Sequence, residues 1–350
     1  MAKFADKANR AAKALSTTTV DYTDAALIYY QQGLEETDIE ERTAITIKMA
    51  NAVGQSVETV SEQLTAIWNN YYDGAKPLEY YADVLMRLGA DTASSSDEIS
   101  EGLGKFSAVA DSVGLSYEYA ASALATITAT TRESANTVGT ALKTLFSRIQ
   151  GLKLGETLED GTDLNKYSEA LDTVGVKIKD TNGNLRNMDD ILDDVGARWK
   201  TLASDQKMAL AQTVAGVRQY NQFVALMDNW NFFQENLNSS LNSTGSLTEQ
   251  ADIYAESWRA AEKKVRASAE GIYQALLNDD FFISFYNGLA KVLDGVNGFV
   301  TGLGGMNGVL TTLFSTFIMT YSKEIPAVLD KVSGTLDIIT GKARKNMSVI

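Results

Sequence analysis

The chain has 350 residues, 31 basic against 45 acidic side chains for a net charge of −14, and neither cysteine nor histidine. Its length exceeds that of a usual single domain and predicts more than one packed unit. The missing residue types exclude disulfides, thiolate nucleophiles, imidazole general bases and Cys/His zinc sites. The composition therefore predicts a non-enzyme with no cofactor and no metal, and the charge argues against indiscriminate binding to nucleic-acid phosphates.

Only two prolines occur, Pro77 and Pro326, which leaves the backbone free to run helical for long distances. The expected class is all-α, a multi-helix bundle of short and long helices with one small β-hairpin near 176–186. At the start, Lys3, Lys7, Arg10 and Lys13 recur at helical spacing among alanines. No apolar core of signal-peptide length follows them, so no cleaved leader is expected. The acids of 35–41 suit the first turn of a helix through Ile39, Ile45 and Met49. Val53, Val57, Val60, Leu64, Ile67 and Tyr71 then alternate steps of four and three, the stripe of one helix that Asp73-Gly74 ends.

Ser95 and Glu98 have the spacing of a capping box, and Ile99, Leu103, Phe106, Ala110 and Val113 mark the buried face behind it. Gly114 stops that helix. Ser116 and Ser134 cap the next two, with Ala120, Leu124 and Ile127 inward in one and Val138, Leu142, Leu145 and Ile149 in the other. Three antiparallel helices with short links are predicted.

Residues 156–194 hold eleven acids and four bases, a net of −7, half the charge of the whole chain. Within them Val176 to Lys179 alternates apolar and charged residues. Asn182-Gly183 can supply both positive-φ positions of a type I′ turn, which gives the expected hairpin. A calcium loop beginning at Asp180 fails on spacing, because the sixth position is Leu185 and the twelfth Ile191. The acids at Glu36, Glu40, Glu41, Asp189, Asp190, Asp193 and Asp194 read as solvated first turns of helices.

Further on, Asn187 precedes a helix through Leu192, Val195, Trp199 and Leu202, and Ser204-Asp205 caps another that runs to Ala215-Gly216. Tyr220, Phe223 and Met227 continue the pattern. The polar run 236–245 is the best linker candidate. Ser246 with Glu249 predicts a second capping box, opening one long helix through Trp258, Ala261, Val265, Ile272 and Leu276. Trp68, Trp199, Trp230 and Trp258 read as core anchors.

From Gly295 to Ser322 the chain carries no charge over 28 residues, six of them glycine. The stretch is long enough to span a bilayer, and Gly298 to Gly302 and Gly304 to Gly308 have GxxxG spacing. With Leu310, Leu313, Phe314, Phe317 and Ile318 they form the candidate membrane or self-association segment. A glycine-loosened helical hairpin, buried in a bundle or an oligomer interface, is the alternative. The glycines of 302–308 do not make a dinucleotide loop, since no strand precedes them and the last falls one place late.

Short blocks recur in order between about Tyr80 and Trp230. They are Ser95-Ser96-Asp97-Glu98; Val113-Gly114-Leu115-Ser116 with Ala120 to Ala125; Gly139-Thr140-Ala141-Leu142; and Val174-Gly175-Val176. Asp180 with Gly183-Asn184-Leu185-Arg186, then Asp190-Ile191-Leu192, then Ala215-Gly216-Val217-Arg218-Gln219 complete the series. In joint order and spacing this region, a little under half of the chain, resembles the core shared by phage tail tape measure proteins. It departs from many of them at Ala129-Thr130-Thr131-Arg132, where a glycine is common, and at Ala215-Gly216, where Phe-Gly is.

The resemblance implies a virion structural protein of the tail lumen, acting in tail assembly and in genome delivery through the host envelope. It implies as partners other copies of the chain, tail tube, tail chaperone and tail tip proteins, and the host membrane, without sequence-specific nucleic-acid binding. It also implies residence in the host cytoplasm during assembly and at the envelope on ejection. Family members are usually far longer, with coiled-coil rulers and sometimes a wall-degrading domain, so a fragment or processed region is expected. The predicted organisation is an N-terminal helical segment (1–79), a core helical domain (80–235), the linker (236–245), and long helices with the glycine-rich apolar stretch (246–350). The competing reading is a membrane-perforating or toxin-like helical protein, motivated by 295–322 alone.

Overall fold

The computed structural model describes residues 2–276, and among them every regular element is a helix. The order is α1 (Ala2–Ala14), α2 (Thr19–Gln31), α3 (Glu36–Val53), α4 (Val57–Tyr71), α5 (Leu78–Asp91), α6 (Ser96–Ser112), α7 (Tyr117–Thr131) and α8 (Ala135–Lys153). There follow α9 (Leu164–Asp172), α10 (Met188–Trp199), α11 (Ser204–Ala215), α12 (Tyr220–Asp228), α13 (Trp230–Leu241), α14 (Ser246–Ala255) and α15 (Trp258–Leu276).

The chain divides into two compact units. In one, α1 packs on α15 through small residues: Ala8, Ala12, Ala260 and Ala267 are buried. Buried Asn9 ties the pair, donating from Nδ2 to the Ala267 carbonyl at 2.7 Å and to Thr19 Oγ1 at 2.8 Å. Gly271 leaves room for this, since a Cβ there would lie 2.6 Å from Asn9 Oδ1.

The other unit, Val20–Ser257, is larger than the domain expected over 80–235 and contains it. At its centre α6 and α8 lie so close that a Cβ on Gly139 would fall 2.6 Å from the Gly102 carbonyl oxygen. A Cβ on Gly102 would in turn meet Leu124 of α7 at 2.5 Å and the Ala135 carbonyl of α8 at 3.1 Å. Three helices converge there because two of them carry no side chain at the crossing. Phe106 and Phe146 stack beside it with centroids 5.9 Å apart. The helix α7 is buried nearly all round, against α5, α6, α8, α12 and α13. Its buried hydroxyls are satisfied: Thr126 donates to the Ser122 carbonyl at 2.7 Å and accepts from Asn236 Nδ2 at 2.9 Å.

Several expectations need correcting. No strand occurs among the described residues; the predicted hairpin reduces to a single antiparallel bridge between Lys179 and Leu185. The Asp180 carboxylate accepts the N–H groups of Asn182 and Asn184 at 2.8 Å each, and only Gly183 takes positive φ. The ladder cannot lengthen, because Val176 N–H closes the end of α9 on the Leu171 carbonyl and Asn187 already caps α10. Val53 ends α3 rather than opening α4, since Gly54 adopts φ 74° and Ser56 caps the next helix. The cap of α11 is Ala203, not Ser204. The polar run 236–245 is no free linker: it forms the end of α13 and the turn after it, with Asn236, Ser240 and Ser243 buried.

The long helix predicted from Ser246 is two helices, interrupted at Glu256-Ser257, and Trp258 at the start of the second is 68 % exposed. Its opening is not capped by Ser246. Asp83 of α5, only 4 % exposed, accepts the Gly245 N–H at 3.0 Å and the Leu247 N–H at 2.8 Å. One turn earlier on α5, Glu79 accepts from Lys48 of α3 at 2.8 Å and from the Thr248 hydroxyl at 3.0 Å. Two carboxylates four residues apart thus hold the positive end of α14.

Two glycines give a matched test. Gly139→Ala should lower stability by about 1–3 kcal/mol, since helix propensity cannot offset a backbone overlap. Gly104→Ala, in α6 with nothing within 4 Å of its Cβ position, should raise it by about 0.5–1 kcal/mol. Denaturant titration of both variants checks this, and equal effects would show that the α6–α8 approach is not tight. Asp83→Ala leaves two helix-end N–H groups without an acceptor and should cost on the order of 1–3 kcal/mol, read as a lower melting temperature.

Candidate functional site

A cleft of about 660 Å³ opens between α8, the loop 154–163 and the turn that joins α11 to α12. One wall is the outer face of α8, with Lys143, Thr144, Ser147 and Arg148. Leu158, Glu159 and Asp160 form the second wall, and Ala215 to Gln219 the third. The α8 wall is polar because the opposite face is committed to the core through Val138, Leu142, Leu145 and Ile149.

Arg148 organises the cleft. Its Nη2 donates to Asp160 at 2.8 Å and to the Thr213 carbonyl at 3.2 Å, so one guanidinium ties α8 to the loop and to the end of α11, while its Nε is buried without an acceptor among the described residues. Gly216 caps α11 at φ 77°, ψ 163°, a region open to glycine. A Cβ there would lie 3.2 Å from Arg148 Nη1. The chain turns away at Gly216 and leaves Val217 67 % exposed, with Arg218 exposed beside it. Partial burial pushes the Asp160 carboxyl up, but the hydroxyl and N–H of Thr162 and the Arg148 guanidinium outweigh it and hold the group below the usual carboxylate range.

The acids of α10 are structural acceptors. Asp189 takes the Ser116 N–H at the start of α7, at 3.3 Å to each oxygen, and Asp193 takes the Tyr119 hydroxyl at 3.1 Å. Burial raises both carboxyls above their ordinary value. Asp189 is therefore half-buried rather than on a solvated face. Around Tyr117, burial likewise raises the phenols of Tyr71, Tyr80 and Tyr117, and pushes Tyr81 up to about 12. Tyr117 donates to the Tyr81 carbonyl and Tyr81 to the Tyr71 carbonyl, so these two phenols act as neutral donors inside the fold.

No group of acidic side chains able to hold a metal occurs among the described residues. Nor is any described helix long and apolar enough to cross a membrane. The candidate segment of Gly298, Gly302, Gly304, Gly308, Leu310, Leu313, Phe314, Phe317 and Ile318 lies outside the described residues. Reasoning from the sequence did not find the cleft. Its residues come from three separated stretches, and the one signal in the sequence is the block Ala215-Gly216-Val217-Arg218-Gln219 at the end of a predicted helix.

Two predictions follow from the Arg148–Asp160 pair and Gly216. Gly216→Ala should cost about 1–3 kcal/mol, measurable by thermal melting. The folded Asp160 carboxyl lies below its unfolded value, so its contribution is present above about pH 4 and lost as pH falls through the folded value. Asp160→Asn should flatten that acid limb of a stability-against-pH curve, and an unchanged limb would show that the pair carries no linkage.

Comparison with known proteins gives a consistent result. Residues 5–216 match the family described as phage-related minor tail protein. A tape measure protein of Pneumococcus phage Dp-1 is 21 % identical over 241 residues, covering 69 % of this chain and 20 % of that protein. A probable tape measure protein of Escherichia phage P2 is 23 % identical over 283 residues, covering 80 % of this chain and 31 % of its own length. The chain thus spans less than a third of either relative. No solved structure matches it.

Proposed function

Since the chain belongs to the family of phage-related minor tail proteins, as a tape measure protein region, we propose that it is a folded, non-catalytic part of a virion protein in the lumen of the tail tube. The observation that carries this is the family match over residues 5–216, which takes in most of the unit Val20–Ser257. Its partners in this reading are further copies of the chain and the tail tube, chaperone and tip proteins.

Charge and shape support the reading. A surface with a net charge of −14 repels a DNA duplex and lets it slide past without sticking. A unit in which α7 is enclosed by five other helices is folded back on itself and cannot serve as a straight ruler at about 1.5 Å per residue. Length measurement is accordingly assigned to other parts of the full protein, and this region to assembly and delivery. The 28 uncharged residues from 295 to 322 are the part proposed to meet other copies or the host membrane when the protein leaves the tail.

A phage carrying a stop codon in this gene tests the proposal. It should yield filled heads and no functional tails, and an epitope placed on this region should be found in intact virions and be depleted from emptied particles. Normal tails without the gene product, or an epitope that stays in emptied particles at full amount, would contradict it.

A further inference from the structure

The cleft beside Gly216 presents cations that nothing within the described residues neutralises. Arg148 is matched by Asp160, but Lys143 on one wall and Arg218 on the other are exposed and have no ion-pair partner among the described residues. Val217, next to Arg218 in the chain and lining the same cleft, is two-thirds exposed.

The same unit carries the complement. Glu35, Asp38 and Glu41 follow one another at three-residue steps at the start of α3, so they fall on one stripe. All three are exposed, and their carboxylates have no hydrogen-bond or ion-pair partner among the described residues.

We propose that the cleft is a docking site for the acidic first turns of α3 from a second copy of the chain, with Lys143 and Arg218 opposite Glu35, Asp38 and Glu41, and Val217 covered by the contact. Only the meeting of copies is taken from the function proposed above. A short peptide stripe is favoured over nucleic acid because Glu159 and Asp160 line the same cleft, and a continuous phosphate backbone would run past them as well as past the cations. Three carboxylates within two turns feel mainly the charges within a Debye length of about 8–10 Å. Because the contact joins two different surfaces, each copy offers one of each, and the association is head-to-tail, closing into a ring or running on as a filament.

The absence of cysteine makes the pairing directly readable. Thr37→Cys, beside the acidic stripe, and Gln219→Cys, in the cleft, leave every charge in place. Mixed full-length chains carrying one cysteine each should form the mixed disulfide at least about tenfold faster than either variant pairs with itself, and more slowly as salt is raised. Lys143→Glu with Arg218→Glu in the Gln219→Cys chain should abolish that advantage. Adding Asp38→Lys with Glu41→Lys to the Thr37→Cys partner should restore it, with circular dichroism confirming the fold of each. Mixed and self pairing at equal rates, or no effect of charge reversal, overturns the proposal. Tail loss in the stop-codon phage together with equal rates here would leave the tail function standing and this contact refuted.

Discussion

The unit Val20–Ser257 depends on a close backbone approach between α6 and α8 at Gly102 and Gly139. Without side chains at that crossing, α8 comes near enough for Phe146 to stack on Phe106, and α7 settles over the pair through Leu124. The packing also fixes the rotation of α8 about its axis. With Val138, Leu142, Leu145 and Ile149 turned inward, Lys143, Thr144, Ser147 and Arg148 face out. The cleft is therefore a consequence of where two glycines sit in the core.

A second constraint acts on the helices outside that centre. They are short, and polar contacts from distant parts of the chain hold their ends. Asp83 serves α14 across separations of 162 and 164 residues, Asp189 serves the start of α7, and Arg148 reaches the carbonyl of Thr213 near the end of α11. An all-helical fold without long hydrophobic stripes needs such end contacts, because four N–H and four C=O groups at each helix are otherwise without partners.

This explains which parts of the fold were legible in the sequence. Helix boundaries set by a neighbouring residue could be read directly: Gly114 after α6, Ser134 before α8, Asn187 before α10 and Gly216 after α11 all act within a turn of their own position. Features set at a distance could not. The sequence assigns the cap of α14 to Ser246 because Asp83 is remote in the chain, and it makes 236–245 a linker because the partners of Asn236 and Ser240 lie on the distant α7. The stripe assigned to α7 gave one buried face, whereas its small alanines and serines let five helices close around it. The hairpin failed for a local reason of another kind, since the Asp180 carboxylate organises the turn and helices claim both flanks. The cleft was invisible because its walls come from separate stretches of the chain that Arg148 ties together through Asp160 and the Thr213 carbonyl.

The central claim is that the α6–α8 contact anchors the unit and that the elements around the cleft are held on it. Native-state amide hydrogen exchange across the chain tests this most directly. The slowest amides should be those of α6, α7 and α8, exchanging together with the free energy of global unfolding, while the loop 154–163 and the turn after Gly216 open at lower cost. Exchange in α6 and α8 that is faster than in α11 or α14, or independent of one another, would contradict the account.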